Sequence, residues 1–171
     1  MPTLVMDPPP ADFETLLERR RRLGQDRHDE MWDGVLHMAP APLRRHGRLQ
    51  AQITALLEQL GRAAGLEAIG EFNVGDADNH RIPDCGLLAP GPDALYLPTA
   101  ALIVEILSPN DETREKLPFY AAHHVDELLI VDPEQRSVEW LGLRGGEYHP
   151  IERSALIDLS VAELSRRIDW P

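Results

Sequence analysis

The chain has 171 residues, 43% of them hydrophobic and 27% charged, which fits one globular domain over residues 1–171. Its net charge of −12 argues against general binding to nucleic acid, although a local basic patch is still compatible with it. With one cysteine, no visible signal peptide and no apolar run of membrane-spanning length, the sequence predicts a cytoplasmic protein without a membrane partner.

The first half of the chain alternates turn signals with apolar periodicity. Asp33-Gly34 is a turn sequence typical of a hairpin. Leucine and isoleucine recur at helical spacing between Leu49 and Leu60. In chain order, these patterns predict an extended arm over residues 1–10, a surface helix capped by Asp12 over 12–23, a hairpin over 30–38, a long helix over 43–64 and a strand over 66–74.

The second half of the chain is dominated by apolar strand segments. They predict strands over 81–89 and 101–107, a helix over 111–124, a strand over 126–132, a hairpin over 137–151 and a last helix that begins at a Ser160–Glu163 capping box. The strand at 101–107, the helix after it and the strand at 126–132 form a βαβ unit. Its two strands should be parallel with a right-handed crossover. The chain is therefore predicted to be an α/β protein.

Two carboxylates stand inside apolar strand segments. Glu105 lies in Ala-Leu-Ile-Val-Glu-Ile-Leu (101–107), and Asp84 lies in Arg-Ile-Pro-Asp-Cys-Gly-Leu-Leu (81–88). If the two strands pair antiparallel across the loop between them, the two-residue period of side chains allows both acids on one face. Two interpretations are open: a Mg²⁺ or Mn²⁺ ion relieves their repulsion, or arginine side chains and helix N-termini satisfy them.

Lys116 is the one lysine among 17 basic residues. Arginine cannot replace lysine where a compact, titratable ammonium is required. Lys116 lies in the predicted helix that starts near the carboxyl end of the Glu105 strand, and its spacing puts it on the same helix face as Tyr120. Lys116 is therefore either a site residue beside the acids or an exposed surface lysine.

His46 falls three residues before Leu49, on the apolar face of the predicted long helix. It is either a core histidine with a hydrogen-bond partner or a residue that lines the site. It is flanked by the strongest local cluster of basic residues in the chain, Arg44, Arg45 and Arg48. These arginines either contact phosphates or are solvated.

Six segments, taken in order, resemble the Uma-two family of putative restriction endonucleases. The resemblance covers roughly Glu30 to Tyr148, which predicts a nuclease-like core over residues 30–150. The segments are Trp-Asp-Gly-Val-Leu (32–36), Pro-Leu-Arg-Arg-His-Gly-Arg-Leu (42–49), Ile-Pro-Asp (82–84), Val-Glu-Ile-Leu-Ser-Pro (104–109), Glu-Lys-Leu-Pro-Phe-Tyr (115–120) and Leu-Leu-Ile-Val-Asp-Pro (128–133).

The resemblance implies the restriction-endonuclease-like fold of the PD-(D/E)XK superfamily, with a mixed central sheet flanked by helices and a C-terminal β-hairpin and helix. By position, Asp84 is the motif aspartate and Glu105 is its second acid. The motif lysine belongs two residues after Glu105, where this chain has Leu107. In this family the lysine moves to the following helix, and Lys116 is the matching residue.

The resemblance further implies Mg²⁺- or Mn²⁺-dependent hydrolysis of DNA. Asp84, Glu105 and the backbone carbonyl of Ile106 are the expected metal ligands, and Lys116 the catalytic cation. A homodimer is expected because cutting both strands needs two sites. Two other hypotheses are open: a catalytically inactive nuclease-fold module that binds DNA or protein, and a structural partner in a larger complex.

Overall fold

The computed structural model describes residues 4–39, 41–109 and 112–171. Within these ranges, none of the helices is both long enough and apolar enough to cross a membrane. The elements are β1 (Leu4–Met6), α1 (Phe13–Leu23), β2 (Asp29–Trp32), β3 (Val35–Met38), α2 (Arg44–Ala63), β4 (Glu67–Ile69), β5 (Asn73–Gly75), β6 (His80–Arg81), β7 (Cys85–Leu88), β8 (Tyr96–Leu97), β9 (Leu102–Ile106), α3 (Thr113–Ala122), β10 (Glu127–Asp132), β11 (Ser137–Arg144), β12 (Glu147–Pro150) and α4 (Val161–Arg167).

The core sheet has the strand order β12-β11-β10-β9-β7-β4. β9 and β10 are parallel and joined by α3, as the βαβ pattern predicts, while β7 runs antiparallel to β9. Alternate residues of β9 enter two apolar clusters: Val104 packs with Leu49 of α2, and Ile103 packs with Tyr120 of α3. The sheet is therefore covered by α2 on one face and by α3 on the other.

A second sheet has the order β1-β3-β2-β6-β5-β8. The predicted hairpin forms its second and third strands, and β2 and β3 are joined by Asp33-Gly34, both at positive φ. The Arg81 guanidinium lies between the rings of Trp32 and Phe119, at 4.3 Å and 4.1 Å from their centroids. Because Phe119 belongs to α3, this stack joins the second sheet to a helix of the core sheet.

Three local predictions differ from the structure. The predicted strand 66–74 is two strands in different sheets, β4 and β5. The predicted strand 81–89 is interrupted at Pro83, because proline has no N–H to donate to the ladder. Asp12 occupies the N-cap of α1, but its side chain makes no capping hydrogen bond.

The N-terminal arm is partly incorporated in the fold. Of residues 1–10, the segment Leu4–Met6 pairs with β3 as an edge strand, while residues 1–3 lie outside the described ranges. At the other end of the chain, the C-terminal hairpin of β11 and β12 and the Ser160–Glu163 capping box of α4 are as predicted.

Candidate active site

The antiparallel pairing of β7 with β9 brings Asp84 and Glu105 together. Cys85 pairs with Val104, and the Asp84 N–H donates to the Val104 carbonyl at 3.1 Å. Asp84 is the residue before Cys85 and Glu105 is the residue after Val104, so in this antiparallel pair the two acids lie opposite each other. Because side chains alternate between faces, both acids lie on the sheet face opposite the buried side chains of Cys85 and Val104. Both carboxylates line one cavity of about 150 Å³.

Asp84 is held by α2 and by the backbone of β9. Its Oδ1 lies 2.6 Å from His46 Nε2, and its Oδ2 accepts a 2.6 Å hydrogen bond from the Ile106 N–H. Gln50 Nε2 donates to the Asp84 backbone carbonyl at 2.7 Å. His46 therefore lines the site and has a hydrogen-bond partner there, which combines the two interpretations of its position.

Glu105 is a buried carboxylate at 6% exposure, in the fourth position of β9. Its Oε1 accepts hydrogen bonds from Tyr120 Oη at 2.5 Å and from Lys116 Nζ at 3.3 Å. Burial raises the pKa of the Glu105 carboxyl well above its ordinary value, and the Lys116 ammonium opposes this rise. Glu105 is therefore a carboxylate for which a nearby cation is favourable.

Lys116 points into the cavity instead of into solvent. Its Nζ lies 2.9 Å from Glu30 Oε1 and 3.3 Å from Glu105 Oε1, and its side chain is 13% exposed. Burial disfavours the charged ammonium, but the negative charges of Glu105 and Glu30 outweigh this effect and raise the pKa of Lys116 above its ordinary value. Lys116 is thus a fixed cation beside the acidic pair.

Glu30 is a residue of this cluster that sequence reasoning missed. Besides Lys116, its Oε1 accepts the Ile82 N–H at 2.7 Å, and its Oε2 accepts Trp32 Nε1 at 2.7 Å. It reaches the cavity from β2 in the second sheet, 86 positions before Lys116. No local pattern in Asp-Glu-Met-Trp marks it, since an acid at the start of a short strand is usually exposed.

The arginines considered as phosphate contacts do not line this cavity. Arg45 forms a 3.2 Å ion pair with Glu134, Arg48 pairs with Asp169, and Arg44 is exposed. Among the described residues that line the cavity, Lys116 is the only lysine or arginine, against five carboxylates: Glu30, Glu71, Asp84, Glu105 and Glu112. The cavity therefore carries net negative charge.

The acids do not form a complete metal cage. Across residues 4–39, 41–109 and 112–171, no three side chains of His, Cys, Asp or Glu converge as metal ligands. Asp84 and Glu105 supply two carboxylates, and further oxygen ligands for an ion would come from backbone, water or substrate, as is usual for Mg²⁺.

Comparison with known proteins assigns the chain to a family. The sequence profile described as Uma2, putative restriction endonuclease, matches residues 10–167. The chain belongs to the Uma2 family. This confirms the resemblance of the six sequence segments to the Uma-two family.

The fold of this Uma2 protein is similar to that of a solved structure described as a putative nuclease belonging to DUF820 from Anabaena variabilis ATCC 29413. The match has a TM-score of 0.66 at 17% identity and covers 81% of this chain and 90% of the other. It confirms the predicted α/β, restriction-endonuclease-like fold. No curated protein has a significant sequence match to this Uma2 chain.

Proposed function

We propose that this Uma2 protein is a metal-dependent endonuclease that hydrolyses DNA phosphodiester bonds at the cavity lined by Asp84 and Glu105. The observation that carries the proposal is the buried Glu105 carboxylate, which shares a negatively charged cavity with Asp84 and one fixed lysine. Two acids and a lysine are the chemical groups that the sequence resemblance implies, and membership of a family of putative restriction endonucleases supports the same reaction.

The donor set fits a divalent cation. The hydrogen bonds to the Glu105 carboxylate within the described residues go to Oε1, so Oε2 is left for a ligand. Asp84 accepts one hydrogen bond at each oxygen, and a carboxylate oxygen has a second lone pair. With the Ile106 backbone carbonyl, Asp84 and Glu105 would hold Mg²⁺ or Mn²⁺. When bound, such an ion lowers the pKa of its water and offsets charge on the phosphate.

The protein side chains have separate roles in this proposal. Lys116 stabilises negative charge that develops on the phosphate or orients the attacking water, because its ammonium is already fixed beside Glu105. Tyr120 holds Glu105 in one orientation through the 2.5 Å hydrogen bond of its hydroxyl. His46 does the same for Asp84. The site therefore needs little reorganisation when substrate arrives.

A homodimer belongs to the same proposal. One site cuts one strand, and a two-fold dimer is the commonest way to present a second site to the other strand.

The second candidate is a nuclease-fold module that binds DNA or protein without cleaving. The position two residues after Glu105 holds Leu107 in place of the motif lysine, and the arginines predicted to contact phosphates are exposed or engaged in surface ion pairs. Both features weaken a conventional nuclease site. Cleavage by the pure protein distinguishes the two candidates.

The test is cleavage of supercoiled plasmid in Mg²⁺ or Mn²⁺, with EDTA as the metal-free arm. We expect metal-dependent nicking or linearisation that Asp84→Asn and Glu105→Gln both abolish. Glu71→Gln is the matched control, because Glu71 lines the same cavity but contacts His28 at 3.4 Å and neither Asp84 nor Lys116. DNA retention in a gel-shift assay without cleavage in either metal would favour the binding module.

A further inference from the structure

Glu30 has a buried carboxylate whose acceptor positions are largely occupied. Its side chain is 9% exposed, and three donors reach it: Lys116 Nζ, the Ile82 N–H and Trp32 Nε1. Three directed hydrogen bonds fix both oxygens of a carboxylate in place. Glu30 therefore offers Lys116 a rigid anion from outside the core sheet.

The two acids that share Lys116 differ in their distance from its ammonium and in whether they would also bind a cation. Lys116 Nζ is closer to Glu30 than to Glu105, at 2.9 Å against 3.3 Å. A divalent cation bound at Glu105 would neutralise the negative charge of that carboxylate and repel the Lys116 ammonium. Under those conditions Glu30 is the remaining anion that holds the ammonium in the cavity.

We propose that Glu30 is a positioning residue that keeps the Lys116 ammonium in the cavity when a divalent cation occupies the Asp84–Glu105 site. The inference rests on the proposed function for the cation and its location. Glu30 is not itself placed as a ligand, because Lys116 and the Ile82 N–H share its Oε1 and Trp32 takes its Oε2. Its role would be to act on the reaction through Lys116.

The second sheet supplies the support for this role. Arg81, in β6, stacks on Trp32, whose indole N–H donates to Glu30. Its Nη1 also donates to the carbonyl of Met31 at 2.9 Å, and Met31 lies in β2 with Trp32 and Glu30. The other face of the Arg81 guanidinium packs on Phe119 of α3, the helix that carries Lys116. The strand that bears Glu30 and the helix that bears Lys116 are therefore held together by contacts outside the cavity.

The single lysine makes a direct test available. Protein labelled with ¹⁵N-lysine has one side-chain ammonium, Lys116, whose N–H signal is observable when the group is held in an ion pair and lost when it exchanges freely with water. We expect the signal in the wild-type protein both without and with saturating Mg²⁺. In Glu30→Gln we expect it to disappear on addition of Mg²⁺. Glu71→Gln is the control and should behave as the wild type.

Other outcomes also decide the question. If Glu30→Gln keeps the Lys116 signal in Mg²⁺, or binds Mg²⁺ much more weakly in calorimetry, the positioning role is wrong; the second result would make Glu30 a ligand. Loss of the signal with and without Mg²⁺ supports the anchor role in both states. If Glu30→Gln does not fold, Glu30→Asp, which keeps the charge but shortens the reach, should lose the signal in Mg²⁺.

Cleavage kinetics supply an independent arm. We expect Glu30→Gln to lower kcat by roughly tenfold to a hundredfold, the loss expected for one charge-assisted hydrogen bond, with little change in the Mg²⁺ requirement. Glu30→Gln combined with Lys116→Met should be no slower than Lys116→Met alone, whereas additive losses would contradict action through Lys116. If the wild type cleaves no DNA, the proposed function fails, while the ammonium signal still decides the role of Glu30.

Discussion

Lys116→Met removes the cation that Glu30 and Glu105 share. The side chains of both acids are less than a tenth exposed, at 9% and 7%. Removing one partner from a buried ion pair costs about 3–5 kcal/mol, because the remaining charge is buried without compensation. Both acids keep their neutral hydrogen-bond donors, so we expect the lower end, about 3 kcal/mol, in the free energy of unfolding of the metal-free protein.

The loss should depend on pH. Burial raises the pKa of Glu105 above its ordinary 4.5, and removal of the Lys116 ammonium takes away the main opposing effect. Between 4.5 and the raised pKa, the folded variant binds more protons than the unfolded chain, so its stability increases as the pH falls. The folded wild type does the same below about 8, the pKa of its Glu105, so only above that pH do the two folded proteins differ in bound protons. The deficit of Lys116→Met should therefore shrink as the pH falls from about 9 to about 7. Mg²⁺ should also reduce it, since the ion binds the folded variant more tightly once the ammonium that repels it is removed.

The assay is urea unfolding of the wild type and the variant at both pH values. Arg114→Met is a matched control on the same helix, because its ion pair with Glu139 is 57% and 38% exposed and should contribute less than about 1 kcal/mol. Equal losses in the two variants, or a Lys116→Met deficit that does not change with pH, would refute the argument that Lys116 neutralises buried acids.

Lys116→Arg should impair cleavage more than thermal stability, because the guanidinium keeps the charge but not the compact geometry; equal effects would contradict this. Gly86→Ala should lower the free energy of unfolding, measured in urea, by about 1–3 kcal/mol, because the added Cβ would lie 2.4 Å from the Leu102 carbonyl oxygen. Gly47→Ala is the control: this helical position has no atom within 4 Å of an added Cβ, so the free energy of unfolding should rise by up to about 1 kcal/mol. Light scattering should give a mass of twice the 19.2 kDa of one chain, and a monomer mass at working concentration would contradict the predicted dimer.

The acidic pair and Lys116 could be found from the sequence because local rules place them. Asp84 and Glu105 stand in neighbouring strand segments, where strand pairing and the two-residue period decide which side chains meet. Lys116 follows within one βαβ unit, so connection rules bring its helix to the end of the Glu105 strand. Each of these inferences spans about two elements of structure.

Glu30 could not be found in the same way. It meets Lys116 only because the second sheet folds against α3, a long-range packing that no short-range pattern encodes. The assignment of residues 66–74 to one strand failed for a related reason. This apolar segment is shared between two sheets, and periodicity cannot show to which sheet each half belongs.

Asp84 and Glu105 are proposed to hold the divalent ion of a nuclease site. Crystals grown with Mn²⁺ and measured for anomalous scattering locate that ion without reference to activity. We expect one strong peak at about 2.0–2.2 Å from a carboxylate oxygen of Asp84 and of Glu105, the range for small divalent cations with oxygen ligands. A Mn²⁺ peak elsewhere, or none at a Mn²⁺ concentration that supports cleavage, would contradict it.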